Sequence, residues 1–164
     1  MNKNILLINF IDLTYKEKVM VLNWRNHTHI KKWMYTNSDI SIETHLAFIQ
    51  GLKEKKENKY FLIKQDEEFL GVIDFTNFNK IENSIYFGLY ANPEIKIPGI
   101  GRILEKTSIE YAFNILNVAI LKLEVFSENK QVRNLHKKFH FIETTQKVIN
   151  NKDVICMELK NENK

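Results

Sequence analysis

Lys96-x-x-Gly99-x-Gly101-Arg102 is the stretch of this sequence best suited to hold an anion. Apolar and small residues recur at Ile100, Ile103, Leu104, Thr107, Ser108, Tyr111 and Ala112, so a helix opens just after Gly99. The first N–H groups of such a helix have no internal partner, its dipole favours negative charge, and glycines let a ligand come close to the backbone. Both prolines (Pro93, Pro98) and two of the five glycines (Gly99, Gly101) fall within nine consecutive residues, which marks this loop for function. Two more specific phosphate loops do not fit. A Walker loop needs Gly-Lys-Ser/Thr, and Gly101 is followed by Arg102 and Ile103; a dinucleotide fingerprint needs a small residue where Leu104 stands.

Proton-transfer groups are few. His136 shares a helical face with Val132, Leu135 and Phe139, and imidazole titrates near neutrality. Glu124 lies opposite in parity to Leu121, Leu123 and Val125 on a strand, where its carboxylate could take a proton directly or through water. Asp74 is a second, weaker carboxylate candidate on another strand. His45 begins the apolar stripe of a helix and could take a proton or bind substrate. Arg25, one of three arginines, follows Trp24, and its planar charge suits a phosphate or a nucleobase carbonyl. Plain alternatives stand beside each: a core histidine, an edge carboxylate, a surface ion pair. His136 and His140 are four apart, but no Glu follows His136, so no metal site is expected. Cys156 reads as a buried thiol, and no Gly-x-Ser-x-Gly occurs.

The elements that position these groups follow from periodicity. Strands are expected at Ile5 to Phe10, Tyr60 to Lys64, Phe69 to Phe78, Ser84 to Ala91, Leu121 to Phe126, Phe141 to Thr145 and Val154 to Leu159. Helices are expected from Lys16 to about Tyr35 with a break near His27 to His29, from a Ser41 cap to about Glu54, from Ile100 to Leu116, and from Asn129 to Lys138. Residues Asn161 to Lys164 are expected to fray.

Composition bounds the rest. With 164 residues, 44% hydrophobic and 27% charged, the chain suits one domain spanning 1–164. Eleven Phe, six Tyr and two Trp supply a core and rule out disorder. One cysteine excludes a disulfide framework. The net charge of +4 is too small and too interleaved for a nucleic-acid stripe, although an anionic small ligand fits it. The early apolar run Ile5 to Ile8 is too short for a signal peptide or a span, so a cytoplasmic protein without membrane contact is expected.

Lys96-x-x-Gly99-x-Gly101 resembles the acyl-CoA pyrophosphate loop of the GNAT acetyltransferase superfamily, Gln/Arg-x-x-Gly-x-Gly/Ala. The stretch Asn129-x-x-Val132-x-x-Leu135-His136-x-x-Phe139-His140-Phe141 is similar to that family's second motif, with His136 replacing a Tyr and His140 a Gly. Trp24-Arg25-Asn26-His27, Trp33-Met34-Tyr35, Thr44-His45-Leu46-x-Phe48-Ile49, Gly88-Leu89-Tyr90 and Asn92-Pro93 resemble the N-acetyltransferases of pseudaminic acid biosynthesis.

The resemblance implies an α/β (α+β) GNAT fold: a mixed, mostly antiparallel seven-stranded sheet with two splayed parallel strands and helices on both faces. Its implied reaction is acetyl transfer from acetyl-CoA to the 4-amino group of a UDP-linked 4-amino-4,6-dideoxy-N-acetyl-altrosamine, feeding flagellin glycosylation. It implies that Leu89, Tyr90 and Ala91 hold the pantetheine, with Gly88 bulging to free main-chain groups there. The N–H groups of Ile97, Gly99, Ile100, Gly101 and Arg102 would hold the pyrophosphate, and Asn129 would also contact the cofactor. His136 becomes the acid for the departing thiolate and Glu124 the base. Arg25, His45, Thr76, Asn77, Tyr86 and Tyr90 form the sugar site. A protein N-terminal acetyltransferase of the ribosomal-protein type and a non-catalytic acyl-CoA-binding regulatory domain are the alternatives. Expected partners are the UDP-amino sugar and acetyl-CoA, with a homodimer left open.

Overall fold

Apolar runs in the central strands and alternating residues toward the edges build the sheet, and the computed structural model, which describes residues 4–163, sets seven strands side by side. In chain order they are β1 (Ile5–Asn9), β2 (Lys59–Gln65), β3 (Glu68–Asn79), β4 (Ser84–Ala91), β5 (Ile120–Phe126), β6 (Ile142–Ile149) and β7 (Lys152–Lys160). Across the sheet the order is β1-β2-β3-β4-β5-β7-β6. All neighbours are antiparallel except β4 and β5, which run parallel. That pair is in register at Ser84↔Ile120, Ile85↔Leu121 and Tyr86↔Lys122, and then the strands part. This is the mixed sheet with a splayed parallel pair that the sequence implies.

The helices are α1 (Tyr15–Asn26), α2 (Thr28–Lys31), α3 (Ile42–Gly51), α4 (Ile100–Glu110) and α5 (Lys130–Lys138). Thr14 starts α1 through a capping box with Glu17, and Ser41 caps α3 by accepting from the Thr44 N–H. The expected break falls at His27, whose extended backbone ends α1 and whose Nδ1 accepts from the His29 N–H. Strand parity then sorts the residues onto two faces. Ile73, Phe75, Phe87, Leu121 and Leu123 pack with Leu104 of α4 on one face; Leu62 and Val72 pack with Trp24 and Ile49 on the other. Asp74, Thr76, Tyr86, Gly88, Tyr90 and Glu124 share parity with that second face.

Three expectations are corrected. Gly88 forms no bulge: the β3–β4 register runs unbroken through Asp74↔Gly88, and its shift falls between Thr76 and Asn79. The helix from Ile100 does not run regularly to Leu116; after Glu110 it widens into a π turn, Tyr111–Ile115, in which the Tyr111 ring lies 5.1 Å from Phe75 and 5.0 Å from Phe61. The chain end is partly held. Asn161 is buried, its N–H donates to Ala119 O and its Nδ2 to Val118 O, while Lys164 lies outside the described residues.

Candidate active site

Where β4 and β5 part, the sheet opens into a cleft of about 250 Å³. Its floor carries Asp74, Thr76 and Asn77 from β3, Tyr86 and Gly88 from β4, and Glu124 from β5. Trp33, Met34 and Tyr35, which follow α2, form the wall. Four ties hold that wall. The Tyr35 hydroxyl donates to Glu124 Oε1 at 2.5 Å, Asn150 Nδ2 donates to Tyr35 O, Arg25 Nη2 donates to Thr36 O, and the Asn26 amide makes two bonds to the Ile40 backbone.

The two carboxylates of the floor differ sharply. Glu124 is engaged on both oxygens, Oε1 by Tyr35 and Oε2 by Lys147 Nζ at 2.5 Å. Asp74 stands against the backbone of Gly88, where a Cβ would come within 2.9 Å of its Oδ2. Burial pushes the Asp74 carboxyl up to about 7. Tyr60 and Tyr90 flank it, and both phenols are raised, first by burial and then by the Asp74 charge. Burial lowers the Arg25 guanidinium, and its Nη1 has no hydrogen-bond partner among the described residues.

The glycine loop works for two different reasons. Gly99 is the N-cap of α4 at φ +85°, a conformation that costs a side chain strain, and no side chain caps the helix. The first α4 N–H groups are thereby left for a ligand. Gly101 also sits close to α5, where a Cβ would lie 3.2 Å from the Leu135 side chain, so a larger residue there would push Leu135 aside. The Ile100 N–H already leans on Ile97 O at 3.4 Å. Leu89, Tyr90 and Ala91 lie beyond the last β4–β5 pair, so their side toward β5 is open. Asn129 is buried at the start of α5, and its side chain makes no capping bond.

His136 is not part of the cleft floor. It lies on the α4–α5 face of the sheet, 5% exposed, with Nδ1 2.7 Å from Oε1 of the fully buried Glu105 and its ring against Phe87 and Phe141. Its Nε2 makes no hydrogen bond among the described residues. His45 also stands apart: it is buried, its Nε2 donates to Lys18 O at 2.9 Å between α3 and α1, and burial lowers its pKa. Of the residues named from sequence, the cleft thus collects Asp74, Thr76, Asn77, Tyr86 and Glu124; Arg25 and Tyr90 lie near one another outside its lining, with Arg25 tied to the wall through Thr36 O. Glu105, Tyr60 and Lys147 were missed. Glu105 had a signal, for it lies on one helical stripe with the small residues Gly101, Ser108 and Ala112.

Comparison with known proteins agrees with this architecture. Residues 19–141 match the acetyltransferase (GNAT) family. The chain is 42% identical to the acetyltransferase PseH of Campylobacter jejuni over 135 residues, 82% of this chain and 83% of that one. The crystal structure of C. jejuni N-acetyltransferase PseH in complex with acetyl coenzyme A superposes with a TM-score of 0.78 at 36% identity, covering 96% of this chain and 99% of that one. Spermidine N-acetyltransferase from Vibrio cholerae, solved with CoA and spermine, shares the fold with a TM-score of 0.86 at 22% identity, covering 97% of this chain and 96% of that one. Sheet order, parting strands, glycine loop and these matches converge on one conclusion: the chain belongs to the GNAT acetyltransferase family.

Proposed function

We propose that this acetyltransferase moves acetyl from acetyl-CoA to the 4-amino group of a UDP-linked 4-amino-4,6-dideoxy-N-acetyl-altrosamine, as in pseudaminic acid biosynthesis. The observation that carries the proposal is the aromatic cleft of Trp33, Tyr35 and Tyr86 set at the parting of β4 and β5, with Arg25 tied to its wall through Thr36 O and holding a buried nitrogen that has no partner among the described residues. The similarity to PseH of C. jejuni supports the same acceptor class.

The uncapped start of α4 fits a pyrophosphate, because N–H groups of Gly99, Gly101 and Arg102 are free to donate. The open side of Leu89 to Ala91 fits an extended pantetheine lying as an added strand, with buried Asn129 nearby at the start of α5. Bound there, acetyl-CoA supplies an activated acyl carbon. Arg25 binds the nucleotide end, Thr76, Asn77 and Tyr86 the sugar, and His136, fixed through Nδ1 by Glu105, keeps Nε2 for the departing thiolate. No helix among the described residues is long and apolar enough to cross a membrane, which suits a soluble donor and acceptor.

The test is thiol release from acetyl-CoA with a panel of UDP-amino sugars, polyamines and N-terminal peptides. The 4-amino sugar is expected to be turned over with the highest kcat/KM. Preference for a peptide or a polyamine would overturn the acceptor, and binding of acetyl-CoA without turnover of any amine would point to a regulatory domain.

A further inference from the structure

We infer that Asp74, not Glu124, is the group that accepts the proton of the attacking amine. The inference deepens the acetyl-transfer reading above and rests on it. Acceptance of a proton requires a free oxygen lone pair facing the amine. Glu124 has little to offer, since Tyr35 and Lys147 donate to its two oxygens. Asp74 makes no hydrogen bond among the described residues and lines the same cleft. Gly88 leaves its Oδ2 room to face the parting of the strands, and any side chain there would displace it. Gly88 is thus required by the base rather than by a bulge.

The surroundings suit this task. Tyr60 of β2 and Tyr90 of β4 flank Asp74 without carrying charge, because burial raises both phenols, and Tyr86 of β4 stands on its other side. Arg25 of α1 lies near Tyr60 and Tyr90, and Glu124 of β5 is neutralised by Lys147. Burial places the Asp74 carboxyl at about 7, so near neutrality it can both take and release a proton.

The step balances as follows. Asp74 takes one proton from the acceptor ammonium, giving a neutral amine. The amine nitrogen bonds to the acetyl carbon and the C–S bond breaks, leaving thiolate. The nitrogen's second proton ends on the thiol, and Asp74 returns its own proton to solvent.

Asp74→Asn keeps size and shape while removing the base. Its kcat is expected to fall roughly 10²–10⁴-fold with acetyl-CoA affinity unchanged by calorimetry. The acidic limb of kcat, near pH 7 in the unaltered protein, is expected to move up toward the pKa of the amine itself. Glu124→Gln should leave that limb in place. Gly88→Ala should displace the carboxylate and lower kcat in the same direction as Asp74→Asn. Near-normal kcat in Asp74→Asn, or loss of the limb in Glu124→Gln alone, overturns the proposal. These rates are read with whichever amine the panel shows to be the substrate, so a wrong acceptor refutes only the preceding reading. A readout free of turnover is the ¹³C titration of the Asp74 carboxyl: a midpoint near 7 is expected, and one in the ordinary aspartate range overturns the assignment.

Discussion

Replacing His136 by Phe keeps an aromatic ring against Phe87 and Phe141 but removes the partner of Glu105. Glu105 is 0% exposed, and its Oε2 already lacks a hydrogen-bond partner among the described residues. The single substitution therefore strands a buried carboxylate, which costs about 3–5 kcal/mol. At roughly 2 cal/mol/K of unfolding entropy per residue, a chain of 164 residues loses about 3 °C of Tm for each kcal/mol, so the expected fall is roughly 9–15 °C. Adding Glu105→Leu removes the stranded charge, and the double variant should return to within about 1–2 kcal/mol of the unaltered protein. Thermal unfolding followed by circular dichroism at fixed pH makes the comparison. A fall under about 3 °C for the single variant, or a double variant no more stable than the single one, would refute the reasoning. The same pair separates folding from chemistry. If Nε2 delivers a proton to the thiolate, kcat stays depressed by roughly 10²-fold or more in the restabilised double variant.

Three further outcomes are expected. Arg25→Ala should raise the KM for the nucleotide sugar about tenfold or more, from loss of a charged hydrogen bond of roughly 1.5–3 kcal/mol, and leave that for acetyl-CoA nearly unchanged; equal weakening of both would remove Arg25 from the sugar site. His140→Gly should stabilise the fold by roughly 1 kcal/mol, because His140 sits at φ +74° in a left-handed helix end closed by Phe141 N–H to His136 O and His140 N–H to Lys137 O; an unchanged or lower Tm would contradict it. Asp74 holds its proton more tightly folded than unfolded, so its contribution favours the fold at low pH and is lost as pH rises through about 7. The Tm advantage of Asp74→Asn should thus be negligible near pH 4 and grow toward pH 8, up to the order of 4 kcal/mol; a constant gap would contradict the burial cost.

Much of this was written locally in the chain. The bounds of β4 coincide with the alternation from Ser84 to Ala91, closed by Asn92-Pro93, and the opening of α4 coincides with the apolar period that begins at Ile100. The Ser41 cap and the break at His27 likewise depend on neighbours within a few residues. What stayed hidden depends on distant partners. Glu124 meets Tyr35 across 89 positions, and His136 meets Glu105 across 31. Parity told that Glu124 faces away from the Leu121–Leu123–Val125 row, not that a tyrosine and a lysine occupy it. Gly88 reads as a bulge in isolation because the reason for it, the Asp74 carboxylate, lies on the neighbouring strand. The π turn was illegible because Tyr111 and Ala112 continue the helical period whether the turn is regular or widened.

The parting of β4 and β5 gives the sheet two inner edges besides its outer ones. An exposed flat edge pairs with any strand it meets and so promotes aggregation. The outer edge at β6 is exposed along most of its length and carries Lys147, a charge that discourages such pairing. The inner edges need no such guard. They face each other, with α4 packed on β3 and β4 on one side and the Trp33–Tyr35 wall on the other. A second sheet is too broad to enter, whereas a single thin extended molecule can slide in endwise and pair. The gap thereby turns an aggregation liability into a filter on ligand shape.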